Sequence, residues 1–221
     1  MKMEYWFLLA SFAFLGAGLK YIDCVYDEGV FDRRVAVLLG LVCGVLMGYV
    51  IGSDMQASSI FLAVIIGVAI TKKIDTNPFF IGAILAFAVP LFLTKNIMIN
   101  WLPTAMLVFA SIVDEVGNNR ADLGLINSKF LKTFFHYRIS MEVVMGLLVI
   151  FGVFEPIYFI AFFLFDLFYH LVGGYANRLL RSRFEFLVMD TPDEIIVKEI
   201  EVGVGENGMG EMNGEFLLKE F

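Results

Sequence analysis

An all-α membrane bundle of about seven helices, followed by a small polar tail, is the fold class this sequence predicts. Three observations carry the prediction. First, 59% of the 221 residues are hydrophobic and only 18% are charged, and phenylalanine alone supplies 24 residues. A soluble chain of this size has too little interior to hide that much apolar surface. Second, the apolar residues fall in runs, several of them close to the ~20 residues a membrane-crossing helix needs. Third, the charge is partitioned. Residues 184–221 hold ten acids and two lysines, so the net charge of −7 belongs to them and the rest of the chain is near neutral. No basic footprint for nucleic acid is present. Disordered, collagenous and disulfide-framework chains are excluded by the same composition.

Seven runs qualify as spans: 5–22, 35–51, 57–70, 78–93, 97–113, 140–154 and 157–172. The third and sixth are short. The last two are separated only by Glu155-Pro156. One helix over 140–172 would run ~50 Å at 1.5 Å per residue, against a hydrocarbon core of ~30 Å, so a hairpin at Pro156 is expected. The transmembrane domain is then 1–183 and the acidic tail 184–221. If the spans alternate, twelve Lys/Arg residues lie on one side and two, Lys2 and Lys95, on the other. The positive-inside rule makes the richer side cytoplasmic. This puts the N-terminus outside, the tail in the cytoplasm, and a cytoplasmic partner within the tail's reach. The first run has the outline of a signal peptide, but cleavage after it would leave Asp23 to Arg34 outside, against the charge asymmetry.

Two local patterns stand out. Gly40, Gly44, Gly48 and Gly52 recur every fourth residue along the second run. They bare one helix face, which suits close packing of a neighbouring backbone or a channel for a lipid chain. The segment 128–138, SKFLKTFFHYR, gathers Phe130, Leu131, Phe134 and Phe135 on one helical face and Lys129, Lys132 and His136 on the other. Such a helix lies in the membrane interface on anionic lipid, or covers an anionic substrate. The two cysteines, Cys24 and Cys43, read as small buried apolar residues. In the tail, FEFLVM, EIIVKEIEV and GEFLLKEF read either as three short strands or as mobile segments.

Chemistry concentrates on the basic side. Asp23 and Asp27 are spaced i, i+4 at the end of the first run, with Lys20 a turn deeper, and Asp114 and Glu115 follow the fifth. Acids at a helix C-terminus face partial negative charge, at a cost of up to ~1 kcal/mol. A cation is therefore expected beside them, either Lys/Arg or a metal. Oxygen ligands from separate helices, completed by phosphate, suit Mg²⁺.

The stretch from Lys20 to Arg34, KYIDCVYDEGVFDRR, and the stretch from Asp114 to Gly124, DEVGNNRADLG, resemble the two aspartate-rich motifs of UbiA-type intramembrane prenyltransferases. As in that family, they end spans four apart. The resemblance implies a helical membrane fold, a prenyl diphosphate as ligand and Mg²⁺ as cofactor. It places Asp23, Asp27, Asp114 and Asp122 as metal ligands, and Lys20, Arg33, Asn118 and Arg120 beside the diphosphate. The leading Asn and Asp of the first motif fall on Leu19 and Lys20, and Asn118 takes the middle acidic position of the second. The implied activity is transfer of a prenyl chain from its diphosphate to a lipid-soluble acceptor.

Two other classes remain open. Asp166 and His170, i, i+4 within the last span, form an intramembrane polar pair of the kind that marks proton relays in transporters, or that locks helices. Arg138 and Glu142 have the same spacing and are expected to pair. A non-catalytic scaffold of the same architecture, its tail recruiting a partner, is the third class.

Overall fold

The apolar runs end at residues that stop helices, and the computed structural model breaks where they do. It describes residues 3–71, 76–93 and 98–190. Within these the helices are α1 (Tyr5–Asp23), α2 (Arg33–Ser53), α3 (Met55–Ile70), α4 (Asn77–Leu93), α5 (Trp101–Asp122), α6 (Lys129–His136), α7 (Ile139–Ile150) and α8 (Pro156–Asp190). The described residues contain no strand. Asp32 caps α2 by accepting from Arg34 N at 2.7 Å, and Asp54 caps α3 through Gln56 N and Ala57 N, the usual role of a short acidic side chain at a helix start. Pro156 opens α8, so the chain breaks after α7 where the hairpin is expected. The chain divides after Asn177. The second unit, Arg178–Phe221, is described as far as Asp190 and is helical there. FEFLVM, which has a strand-like composition, is thus helical, with no glycine or proline between Gly174 and Pro192 to stop it. The other two tail segments lie outside the described residues.

The helices are those of a membrane protein. Tyr5–Glu28, Arg33–Ser53 and Pro156–Arg183 are long and apolar enough to cross a bilayer; Lys129–Phe135 with Ile139–Ile150 would count as a fourth only if the two, bent by 69°, formed one broken span. The seven expected runs all fall on helices, but α3 and α4 have only 16 and 17 residues, short of ~30 Å. The 22-residue α5 has the length but carries Asp114, Glu115, Arg120 and Asp122.

The glycine stripe of α2 is a packing face. A Cβ on Gly40 would sit 2.8 Å from Pro78 Cβ, and one on Gly44 would lie 2.7 Å from both Cα and O of Gly82. Gly48 meets Val89 and the Leu85 carbonyl in the same way. The register advances together along both helices, so α2 and α4 run parallel, backbone against backbone. α1 and α8 approach as closely: a Cβ at Gly16 would overlap the Phe165 carbonyl. Between these contacts Phe12, Phe61, Phe162 and Phe165 pack in the core, with ring centroids 4.4–6.1 Å apart for the three contacting pairs.

Besides α8, which runs on to Asp190, two helices extend well past their expected ends. α1 continues through a π-helical turn, Cys24–Glu28, closed by Gly29 at φ 66°. α5 continues to Asp122, so Asp114 and Glu115 lie two turns inside it.

Candidate functional site

The ends of α1 and α5 meet around α8 and the turn before α7. Lys20 Nζ lies 2.7 Å from Asp23 Oδ2, and the Tyr169 hydroxyl donates to the same oxygen at 3.2 Å. Lys20 Nζ and Arg138 Cζ lie 5.3 and 5.1 Å from the Tyr169 ring centroid, within cation–π range. Arg138 Nη2 lies 3.3 Å from Glu115 Oε2, whose side chain is buried. His170 Nδ1 lies 3.1 Å from Asp166 Oδ2 and 2.9 Å from the Asp166 carbonyl oxygen, and the His170 ring is 5.0 Å from Tyr137. One hydroxyl-bearing ring, Tyr169, thus links the α1 ion pair to the α5–α7 ion pair.

Asp114 has a structural task. It accepts from Ser140 N at 3.0 Å and Met141 N at 2.8 Å, capping α7 from another helix. This overturns the expectation that Asp114 and Glu115 sit at an unfavourable helix C-terminus. Asp114 faces the N-terminus of α7, where a negative charge is favoured. The capping also explains Arg138, whose φ of 51° makes it the one non-glycine residue with positive φ among those described. The left-handed conformation costs ~1–2 kcal/mol. The Glu115 pair on one side and the Asp114 cap on the other hold it there. Burial works against the charge on Arg138, but Tyr169, Glu115, Asp23 and Asp166 outweigh it, and its pKa lies above the ordinary arginine value.

The remaining expectations fare unequally. Asp27 is exposed in the π turn, in hydrogen-bonding contact with Asp23. Arg33 and Arg120 are exposed, Asn118 is half-buried, and the Asp122 side chain lies outside the described residues. Arg138 pairs with Glu115 and not with Glu142, because the left-handed turn directs it away from its own helix. Glu142 lies within electrostatic range of Asp166, His170 and Asp114. Tyr169 was not legible as a site residue. It sits i+3 from Asp166, among phenylalanines, and only its hydroxyl distinguishes it.

Two cavities adjoin the cluster. One, of about 20 Å³, is lined by Ser111, Asp114, Glu115, Arg138, Asp166 and Tyr169, together with Val64 and Val68. It has room for one water molecule. The other, of about 90 Å³, is apolar and lies among α1, α2, α3 and α4, with Leu19, Ile22, Gly44, Gly82, Val64 and Val68 in its wall. At the opposite end of the bundle a second polar group ties α3 to α8. Tyr158 donates to Asp54 at 2.7 Å, and Glu155 N donates to Gln56 at 2.8 Å. The phenylalanine core lies between the two polar ends.

Mg²⁺ is held octahedrally by one or two carboxylates, with water and phosphate oxygens completing the shell. Both oxygens of Asp114 accept backbone amides, and Asp23 Oδ2 serves Lys20 and Tyr169. Among the described residues no three His, Cys, Asp or Glu side chains stand close enough to hold a metal.

The fold and this cluster define the class: a helical membrane protein with a charged site at one end of its bundle. No protein family, curated protein or solved structure matches the chain.

Proposed function

We propose that the protein takes an amphipathic, lipid-soluble ligand between its helices, with the apolar chain among α1, α2, α3 and α4 and the polar end at Arg138. The observation that carries this reading is the common wall. Val64 and Val68 line both the apolar cavity and the charged one. A single elongated molecule crossing it would meet carbon at one end and paired charges at the other, its polar end entering as the charged cavity, which has room for one water, widens around it. The two acidic stretches favour a prenyl diphosphate as that ligand, and transfer of its chain to a lipid-soluble acceptor as the activity. In this reading Lys20 and Arg138 exchange Asp23 and Glu115 for the diphosphate. Negative charge developing on the leaving diphosphate is stabilised by the two cations. In the same reading the basic end faces the cytoplasm and the seven runs all cross, the short helices α3, α4 and α7 being accommodated by local thinning of the bilayer.

A photoreactive prenyl diphosphate tests the ligand. Purified protein in nanodiscs should be labelled saturably, and unlabelled compound should compete. Val68→Trp, which fills the wall, and Arg138→Gln should each reduce labelling at least ~10-fold, the equivalent of about 1.4 kcal/mol. Absence of saturable labelling in the folded parent would sink the reading, and the non-catalytic scaffold would replace it. Orientation is tested by impermeant thiol labelling of intact cells. Phe151→Cys should react and Asn127→Cys should not; the reverse pattern places the basic end outside.

A further inference from the structure

The amphipathic helix α6 is not used by the ligand site, and its apolar face is only partly covered. At one edge of that face Phe135 docks on α5, its ring occupying the space a side chain at Gly117 would need. Phe134 stacks edge-on against Phe135 at 5.3 Å and is half-buried. Beyond it Phe130 and Leu131 are exposed, Phe130 to 73%. Leu123 and Leu125, in the loop leading into α6, are exposed to 73% and 70%. Four large apolar side chains in nine residues thus lie open around one short helix. Lys129, Lys132 and Thr133 are exposed on its other side.

The bend to the next helix says what covers them. The axis of Lys129–Phe135 turns by 69° into Ile139–Ile150. If α7 runs across the bilayer, α6 lies near the membrane plane, at the level where α5 ends. An amphipathic helix in that plane rests its apolar face on acyl chains and holds its lysines among the headgroups. Lysines at that depth are attracted by anionic lipid.

We infer that α6 is an interfacial helix that binds anionic phospholipid, with Phe130 and Leu131 seated in the acyl region and Lys129 and Lys132 on the phosphate headgroups. The inference concerns a surface outside the two cavities and uses no prenyl ligand, so it stands or falls apart from the proposed function.

Fluorescence quenching in bilayers tests it. Phe130→Trp is made in the full chain on a background of Trp6→Phe and Trp101→Phe, and reconstituted with acyl-brominated phosphatidylcholine or phosphatidylglycerol. Both lipids should quench the emission of the introduced indole. Phosphatidylglycerol should quench at a lower mole fraction, with a preference of about five-fold per lysine. The preference should vanish in Lys129→Gln/Lys132→Gln while quenching by phosphatidylcholine persists. Three results would overturn the inference: no quenching by either lipid, equal quenching by both in the parent, or a preference abolished by millimolar inorganic diphosphate. The last would mean that the lysines bind a free anion instead of the lipid.

Discussion

The α2–α4 seam and the Arg138 cluster both join helices inside an apolar solvent, and they do it by opposite means. Along the seam, glycines remove side chains so that two backbones touch: Gly44 faces Gly82, and Gly40 faces Pro78. Lipid tails compete poorly for so close a surface, and van der Waals packing supplies the association. In the cluster, long polar side chains bridge helices that stand further apart. Lys20, Asp23, Glu115, Arg138 and Tyr169 reach across α1, α5, α7 and α8. The seam tolerates no added atom. The cluster tolerates a removed charge poorly, because each group left behind would be wholly or partly buried without its partner. The seam is therefore held by close backbone packing, and the cluster by ion pairs and a hydrogen bond.

Substitutions at the two regions should separate these means. The largest effect is expected from Gly44→Leu, whose side chain has no space against Gly82. Overpacking costs ~1–3 kcal/mol and more where backbone must move, so thermal stability in detergent should fall sharply and the bundle should lose its single elution peak. An unchanged melting temperature would mean the seam is not packed. Arg138→Gln comes next. Breaking a buried pair costs ~3–5 kcal/mol, but Arg138 is 29% exposed, so the loss should fall below that range. Adding Glu115→Gln should recover part of it in a double-mutant cycle; additive losses would show that the two do not interact. Asp114→Ala removes both acceptors from the start of α7 and should cost ~0.5–2 kcal/mol, whereas Asp114→Asn, which keeps an acceptor, should cost less. Equal losses would argue for charge over capping. Tyr169→Phe removes one hydrogen bond to Asp23 and should be the mildest, at ~0.5–1.5 kcal/mol. If it leaves stability unchanged while Arg138→Gln does not, the hydroxyl does not link the two ion pairs.

The difference between the regions also separates what could be read early from what could not. The i, i+4 glycines announce a packing face by spacing alone, although the sequence does not say that α4 is the partner. The two acidic stretches announce a shared end, and Asp23 and Glu115 do converge there through Tyr169 and Arg138. Two of the expected site residues carry structural contacts. Asp114, placed among the metal ligands by its motif, is a helix cap, and Lys20, placed on phosphate, is held by Asp23. Arg138 and Glu142, at ideal helical spacing, do not pair, because one residue in the left-handed region breaks the helix between them.

The amino-acid sequence by itself determined the helical class, the apolar runs, the break at Pro156, the bare face of α2 and the two faces of α6. Each of these depends on composition or on residues within a few positions of one another, so helical periodicity and turn chemistry suffice to read them. Only the tertiary structure decided that α4 fills the glycine face, that Asp114 serves α7, that Arg138 takes Glu115, and that Tyr169 joins two ion pairs. Those contacts link helices by up to 146 residues of separation in the Asp23–Tyr169 case. They depend on the register, tilt and depth at which helices stack, and apolar length specifies none of these.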